Sequence, residues 1–403
     1  MTNLPQGWEV KTLSEIGEIV TGSTPSKSNL DFYGKDYPFF KPSDFEQGYF
    51  LENAGDNLSK LGFGKARQLP PKTILVVCIG SLGKVALTKV IESCNQQINA
   101  IIPHKNIISE YIYYYCISSK FQSILFSKAP QTTLAILNKT EFSKLEIIYP
   151  KDIKEQERIV GILDFAFSKI DENIKKAKEN LANIDELMQS ALQKAFNPLN
   201  DNTKENYQLP QSWEWKSLGD TSNYGKTSQV KPSQLKGNDW ILELEDIEKE
   251  SGVLLQKVLF QDRQSKSNKI KFNKGDILFG TLRPYLKKVI IADDNGACSS
   301  EIMPFSTGNS ITNHFIYYYL FANFLHDRIS SLTYGARMPR LGTKDGKSLQ
   351  IPLPPLQEQE QIAEHLDFVF EKAKALKELY TKELKDYEEL KQSLLDKAFK
   401  GEL

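Results

Sequence analysis

The chain has 403 residues, 40% apolar and 25% charged. At about 100–200 residues per domain, that is room for two to four domains with cores of their own. Lysine plus arginine and aspartate plus glutamate both number 51, so net charge alone gives no sign of a nucleic-acid partner. No run approaches the ~18 apolar residues of a membrane-crossing helix. The opening MTNLPQGWEVKTL also lacks a basic-then-apolar secretion signal. Cys78, Cys94, Cys116 and Cys298 form no C-x-x-C pair, so neither a zinc site nor a disulfide scaffold is expected. These features read as a cytoplasmic protein with no membrane contact.

The chain repeats itself. Leu4-Pro5-Gln6-Gly7-Trp8 returns as Leu209-Pro210-Gln211-Ser212-Trp213, and Tyr111-Ile112-Tyr113-Tyr114-Tyr115 as Phe315-Ile316-Tyr317-Tyr318-Tyr319. Glu155-Gln156-Glu157, Leu163-Asp164-Phe165 and Lys194-Ala195-Phe196 return at a single offset of 203. Ordered matches at nearly one offset mark two copies of one unit.

Each copy opens with a mixed region. Thr73–Ile79, Val85–Val90 and Ile277–Gly280 are short apolar runs between turn residues, which predicts strands. Tyr111–Leu125 and Phe315–Ile329 carry apolar residues at helical spacing. A long helix follows in each copy. Glu155–Phe196 has no proline and one glycine, and Glu358–Phe399 has neither.

Ile159, Leu163, Ala166, Ile170, Ile174, Ala177, Leu181, Ile184, Met188, Ala191 and Ala195 step mostly by alternating fours and threes. The second seam runs Ile362, Leu366, Val369, Ala373, Leu376, Tyr380, Leu384, Tyr387, Leu390, Leu394 and Ala398. Each is a coiled-coil stripe about 63 Å long that needs a partner. An antiparallel pair within the chain satisfies both; homodimerisation through either helix is the competing reading.

Segment charges say more than the total. Residues 1–153 are net +2 and 207–355 net +4, whereas 154–206 are net −2 and 356–403 net −4. The basic clusters of the globular parts suit phosphates. On charge alone an ordinary solvated surface is the favoured reading.

Catalytic patterns are missing. Five residues separate Gly219 from Gly225-Lys226-Thr227, and three separate Gly342 from Gly346-Lys347-Ser348, where a phosphate-cradling loop needs four between its glycines. The histidines His104, His314, His326 and His365 have no metal spacing. There is no Asp/Asn-Pro-Pro-aromatic tetrapeptide of the amino-methyltransferase kind, since Asn197-Pro198-Leu199-Asn200 reads as a helix stop.

The order of parts resembles the specificity subunits of type I restriction–modification systems, over essentially the whole chain. The motifs that carry the resemblance include Thr21-Gly22-Ser23-Thr24-Pro25-Ser26, Gly80-Ser81-Leu82-Gly83-Lys84 and Asn95–Ile101. Others are Arg283-Pro284-Tyr285-Leu286-Lys287 and Ile351-Pro352-Leu353-Pro354-Pro355 before Glu358-Gln359-Glu360. In the first copy the last motif is reduced to Ile147-Ile148-Tyr149-Pro150.

The resemblance implies an α+β fold with an internal pseudo-twofold repeat. Two mixed α/β target-recognition domains, 1–153 and 209–355, would be separated by long helices at 154–197 and 356–403, with a linker at 198–208. The helices would form an antiparallel intramolecular coiled coil. It also implies a non-catalytic subunit that binds double-stranded DNA, each domain reading one half of an asymmetric bipartite site while the helices set the spacer. Two methylation subunits, which carry S-adenosylmethionine, and motor–nuclease subunits, which use ATP, would be the partners; the chain itself would hold no cofactor. An orphan or alternative specificity subunit, or a scaffold with two protein-binding domains on a strut, are the other readings.

On this view the DNA-contacting residues are polar or basic loop positions. In the first domain they are Thr21, Ser23, Lys41, Lys65, Arg67, Ser81, Lys84, Gln131, Thr132 and Thr133. In the second they are Lys226, Arg263, Arg283, Tyr285, Lys287, Arg337 and Arg340. Gly80–Lys84 has a second reading as a plain β-turn. The tyrosine runs could stack on bases, but their recurrence at helical spacing favours core packing.

Overall fold

The computed structural model describes residues 4–129, 135–200 and 207–403. These residues form two compact units. One comprises Met1–Ala177 with Lys382–Leu403, and the other Lys178–Thr381. Both long helices are therefore divided, and each unit holds part of each. No helix among the described residues is long and apolar enough to cross a membrane.

In the first unit Trp8–Thr12 pairs antiparallel with Glu146–Pro150, closing the globular part. A five-stranded sheet has the order Gly17–Thr21, Ile98–Pro103, Ile74–Val77, Val85–Thr88, Phe50–Leu51. Ile74-Leu75-Val76-Val77 is buried throughout, as a continuous apolar run in a central strand requires. Gly80–Lys84 is a turn: Gly83 N donates to Val77 O at 2.9 Å, and Gly80 and Gly83 both have positive φ.

The second unit repeats this plan. Glu214–Ser217 pairs with Gln350–Leu353. Val289–Ile291, Ile277–Gly280 and Ile302–Phe305 form the sheet that corresponds to the core strands.

The tyrosine runs belong to the cores. Tyr111, Tyr114 and Tyr115 are buried, as are Tyr318 and Tyr319. Each expected helix is broken in two, into Ser109–Ile117 and Ser119–Lys128, and into Asn313–Tyr319 and Asn323–Leu332. Ser118 is extended and its side chain accepts from Phe121 N, capping the second piece. The apolar period runs through the break and so hides it.

The long helices span Ile153–Phe196 and Leu356–Ala398. Within the second unit, Leu192 and Phe196 join the cluster of Ile362 and Leu366, while Ile184 and Met188 pack on Ala373. The helix segments there are antiparallel. In the first unit Arg158 donates to Leu403 O at 2.9 Å, and Lys391 pairs with Asp171 at 2.6 Å, again antiparallel. The seams are thus met within the chain.

The second seam departs from expectation at two places. Leu376 is 41% and Leu390 45% exposed. Neighbouring lysines take those turns: Lys377 pairs with Asp185, and Lys391 pairs with Asp171 with its ammonium 5.5 Å from the Phe167 ring centroid. Lysine stems cover apolar surface while their heads reach carboxylates.

Two basic residues expected on DNA belong to this framework instead. Arg263 bonds at 2.7 Å to Asp246, which is completely buried. Asp246 also accepts from Glu243 N and Gln256 Nε2, both at 2.8 Å. Lys287 is buried and donates to Asn323 Oδ1, and burial lowers its pKa. Arg263→Ala leaves the Asp246 charge short of its main partner, so a loss of about 3 kcal/mol is expected in chemical unfolding. A surface change such as Arg337→Ala stays within about 0.5 kcal/mol.

His326 is buried, with Nε2 2.6 Å from Leu320 O and Nδ1 without a partner among the described residues. Burial pushes its pKa down from 6.5 to about 4. The folded chain therefore holds it neutral while the unfolded chain takes a proton. Its contribution is complete above pH 6.5 and is lost as pH falls towards 4. Thermal unfolding against pH should show this loss, up to about 3 kcal/mol, and His326→Leu should flatten that part of the profile.

Candidate nucleic-acid interface

In the first unit the strand Gly17–Thr21 runs out into a polar loop laid on residues 94–99. Gly22 makes this possible: a Cβ there would lie 2.1 Å from Asn95 O. Ser23 N donates to Cys94 O at 2.9 Å, and Thr21 Oγ1 to Asn99 Oδ1 at 2.6 Å. Arg67 binds the same loop, with its N on Ser23 Oγ at 3.1 Å and Nη1 on Thr21 O at 2.6 Å. Thr21, Ser23 and Arg67, distant in sequence, are thus brought together. Arg67 is exposed and bonded to a carbonyl, so its charge is not cancelled by an acid. Lys65 nearby in sequence is also exposed and makes no ion pair with any described residue.

The other first-unit candidates divide. Ser81 is exposed on the Gly80–Lys84 turn. Lys84 is paired with Glu46, and Lys41 with Asp56, so each brings a charge already neutralised. Gln131, Thr132 and Thr133 lie outside the described residues.

In the second unit a hairpin formed by Thr333–Tyr334 and Arg340–Leu341 carries Arg337 at its tip. Gly335, with φ +92°, turns the chain there. The loop bearing Arg283 lies against it: Arg283 N donates to Pro339 O at 2.7 Å, and Leu282 bridges Arg340. Arg283, Arg337 and Arg340 therefore gather on two adjoining loops with exposed Tyr285, Tyr334 and Met338. Lys226 joins from another side. A Cβ on Gly225 would lie 2.4 Å from Thr343 and 2.9 Å from Lys347, so that turn abuts the helix Thr343–Ser348 just after the hairpin. None of Lys226, Arg283, Arg337, Arg340, Lys344 and Lys347 makes an ion pair with a described residue. Arg263 is tied to buried Asp246 and Lys287 is itself buried, so neither offers a free charge to this surface.

The sequence reading omitted Asn95, Gln96 and Asn99, which support the first loop; the polar run Asn95-Gln96-Gln97 was their signal. Lys344 and Lys347 follow Arg340 closely and belong to the same basic cluster of the sequence, although they are not among the expected DNA contacts. Among the described residues no group of three or more His, Cys, Asp or Glu is placed to hold a metal ion. The four cysteines are free and buried, and burial pushes the Cys78 thiol up to about 12. Such a thiol is a poor nucleophile.

Both halves of the chain match the family described as type I restriction modification DNA specificity domain, over residues 5–183 and 210–385. The HindI specificity subunit of Haemophilus influenzae is 39% identical over 42% of this chain and 38% of its own length. The MjaIX specificity subunit of Methanocaldococcus jannaschii is 29% identical over 54% of this chain and 52% of its own length. These two matches thus span 38% and 52% of the relatives' own length. The StySPI specificity subunit of Salmonella potsdam is 24% identical over 99% of this chain and 90% of its length. In fold, a chain from a type I R-M assembly aligns over 100% of both chains with a TM-score of 0.79 and 19% identity. The HsdS subunit of Thermoanaerobacter tengcongensis gives 0.54 and 20%, over 99% of this chain and 98% of its own. With its two matched domains, its repeat and its paired helices, the chain belongs to the family of type I restriction–modification specificity subunits.

Proposed function

We propose that the chain is the non-catalytic, sequence-specific DNA-binding subunit of a type I restriction–modification complex. Each globular part reads one half of an asymmetric bipartite site in double-stranded DNA. The paired helices set the spacer and dock two methylation subunits, and motor–nuclease subunits complete the complex. S-adenosylmethionine and ATP belong to those partners in this reading.

The observation that carries it is the pair of uncancelled basic surfaces. Loops around Thr21, Ser23, Lys65 and Arg67 form one, and loops around Lys226, Arg283, Arg337 and Arg340 the other. They differ in sequence on a repeated frame, as two readers of unlike half-sites must. Free guanidinium groups beside polar loop atoms are suited to phosphates and base edges alike.

Arg337→Ala with Arg340→Ala should weaken specific DNA binding about 10–100-fold and leave assembly with methylation subunits intact. Lys226→Ala should lower the slope of log affinity against log salt by about one. Both are read by fluorescence anisotropy across a salt titration. Exchange of residues 1–153 for those of another specificity subunit should alter one half of the methylated site only, read by methylome sequencing. Unchanged binding in the double variant removes the hairpin from the interface, and alteration of both half-sites overturns modular reading.

A further inference from the structure

Both repeats build the same strand-to-strand turn and fill its corners with different residues. In the first unit Cys78 O accepts from Leu137 N, Ile79 bridges Ile136, and Gly80 N donates to Ala135 O. In the second Thr281 O accepts from Leu341 N, Leu282 bridges Arg340, and Arg283 N donates to Pro339 O. Arg283 is therefore the counterpart of Gly80. At the far end of the turn Val77 N donates to Lys84 O, and Gly280 N to Lys288 O, both at 2.9 Å. Lys287, just before Lys288, is therefore the counterpart of Gly83. Ser81-Leu82-Gly83 is answered by Pro284-Tyr285-Leu286-Lys287, one residue longer.

Both corners take left-handed backbone. Gly80 and Gly83 have φ of +82° and +91°, and Arg283 and Lys287 of +50° and +46°. Glycine adopts such angles freely, whereas a residue with a Cβ is strained there. At Arg283 a second force acts in the same direction, because Pro284 drives the residue before it towards extended backbone. Glycine would serve the fold at both corners, as it does in the first repeat.

Lys287 has a reason in the fold. It is buried and its ammonium donates to Asn323 Oδ1, which ties the turn to the helix Asn323–Leu332. Arg283 has none. Its main chain is held on both sides, the N–H by Pro339 O at 2.7 Å and the carbonyl by Leu286 N at 3.0 Å. Its half-buried guanidinium makes no hydrogen bond or ion pair with a described residue. A strained position held by its surroundings, with a side chain the fold does not use, is the pattern of a functional site.

We infer, resting on the DNA-reading role proposed above, that Arg283 is a specificity-determining residue and reads a guanine in the second half-site. A guanidinium has donors and no acceptor, so it matches the N7 and O6 acceptors of guanine; adenine sets a donor beside its N7. Phosphate contact does not call for the strain. Exposed cations such as Lys226 and Arg337 can neutralise a phosphate from many directions. A bidentate contact needs the fork held in one place, which a fixed backbone and a half-buried side chain provide.

Methylated adenines are mapped first in a strain carrying the native full chain with its methylation subunits, and the mapped site supplies the duplex for binding. Arg283→Gly, which copies the first repeat, should unfold at a denaturant midpoint no lower than that of the native chain. It should bind the mapped duplex about 10–100-fold more weakly. Its methylome should turn degenerate at one guanine of the second half-site and keep the first half. Replacing that guanine by 7-deazaguanine, which lacks the N7 acceptor, should weaken the native chain about ten-fold and leave Arg283→Gly unaffected. Arg283→Lys, which keeps the charge without the fork, should retain the salt slope and lose the base preference. A lower unfolding midpoint for Arg283→Gly with an unchanged methylated site makes the arginine structural and overturns the inference. So does an equal loss of affinity for all sequences with a salt slope smaller by about one, the mark of a phosphate contact. A native chain that directs no bipartite methylation overturns the DNA-reading role and this inference together, whereas a bipartite site indifferent to Arg283→Gly overturns this inference alone.

Discussion

Four glutamine side chains, two buried, one half-buried and one exposed, decide how each globular part meets the helices. Gln156, fully buried, accepts from Ile108 N at 2.9 Å and donates to Pro150 O at 2.9 Å. Gln359 repeats this, accepting from Thr312 N at 3.0 Å and donating to Pro354 O at 2.8 Å. The other pair comes from the far ends of the helices. Gln392 caps Ser119 N, and Gln189 caps Asn323 N, both at 3.1 Å. Each short two-helix element is thereby tied at both of its starts, once by the helix that follows it in sequence and once by the helix of the other repeat. Removing a partner from a buried amide leaves peptide groups unpaired, at a cost of about 1–3 kcal/mol each.

Aromatic packing reinforces the same exchange. Phe399 stands edge-on to Tyr111 and Tyr115, and Phe196 to Phe315 and Tyr319. The Lys-Ala-Phe ending of each repeat is therefore core material for the globular part of the other. This explains why compact units divide the long helices instead of stopping at their ends. It also frees the loops: since sheets, glutamines and aromatic plugs hold the frame, the loops around Arg67 and Arg337 can differ without disturbing it.

What could be read from the sequence follows from the range of the interactions. The long helices, the repeat and the tyrosine cores were legible because period and recurrence need no knowledge of contacts. Ile277–Gly280 was legible to the residue, its apolar run being bounded by turn residues. Arg263 and Lys287 were misread because their partners, Asp246 and Asn323, are distant in sequence, and nothing in a basic residue's neighbours announces burial. The break at Ser118 was hidden by continuous apolar spacing. Leu376 and Leu390 were placed in the seam by a strict heptad count, whereas the real helix drifts against that count and admits Lys377 and Lys391. Of the surface candidates, Arg283, Arg337 and Arg340 do gather, through a hairpin whose Gly335 was visible but whose docking on residues 281–283 was not.

Charge then assigns the parts their separate work in the proposed reading. The helical segments hold an excess of acids even though Asp171 and Asp185 are engaged by lysines across the pair. Unspent carboxylates on a helix surface repel a polyanion within about a Debye length, ~8–10 Å at ordinary salt. Basic residues of the globular parts behave oppositely where no acid reaches them, and Lys41 and Lys84 show how readily an acid does. A surface gains DNA affinity only from cations left unpaired in the folded chain, because a paired lysine must first give up its carboxylate. Arg67 meets that condition by geometry, since its guanidinium is held by the backbone carbonyl of Thr21, which orients a cation without cancelling it; Arg337 and Arg340 meet it in that neither pairs with an acid among the described residues.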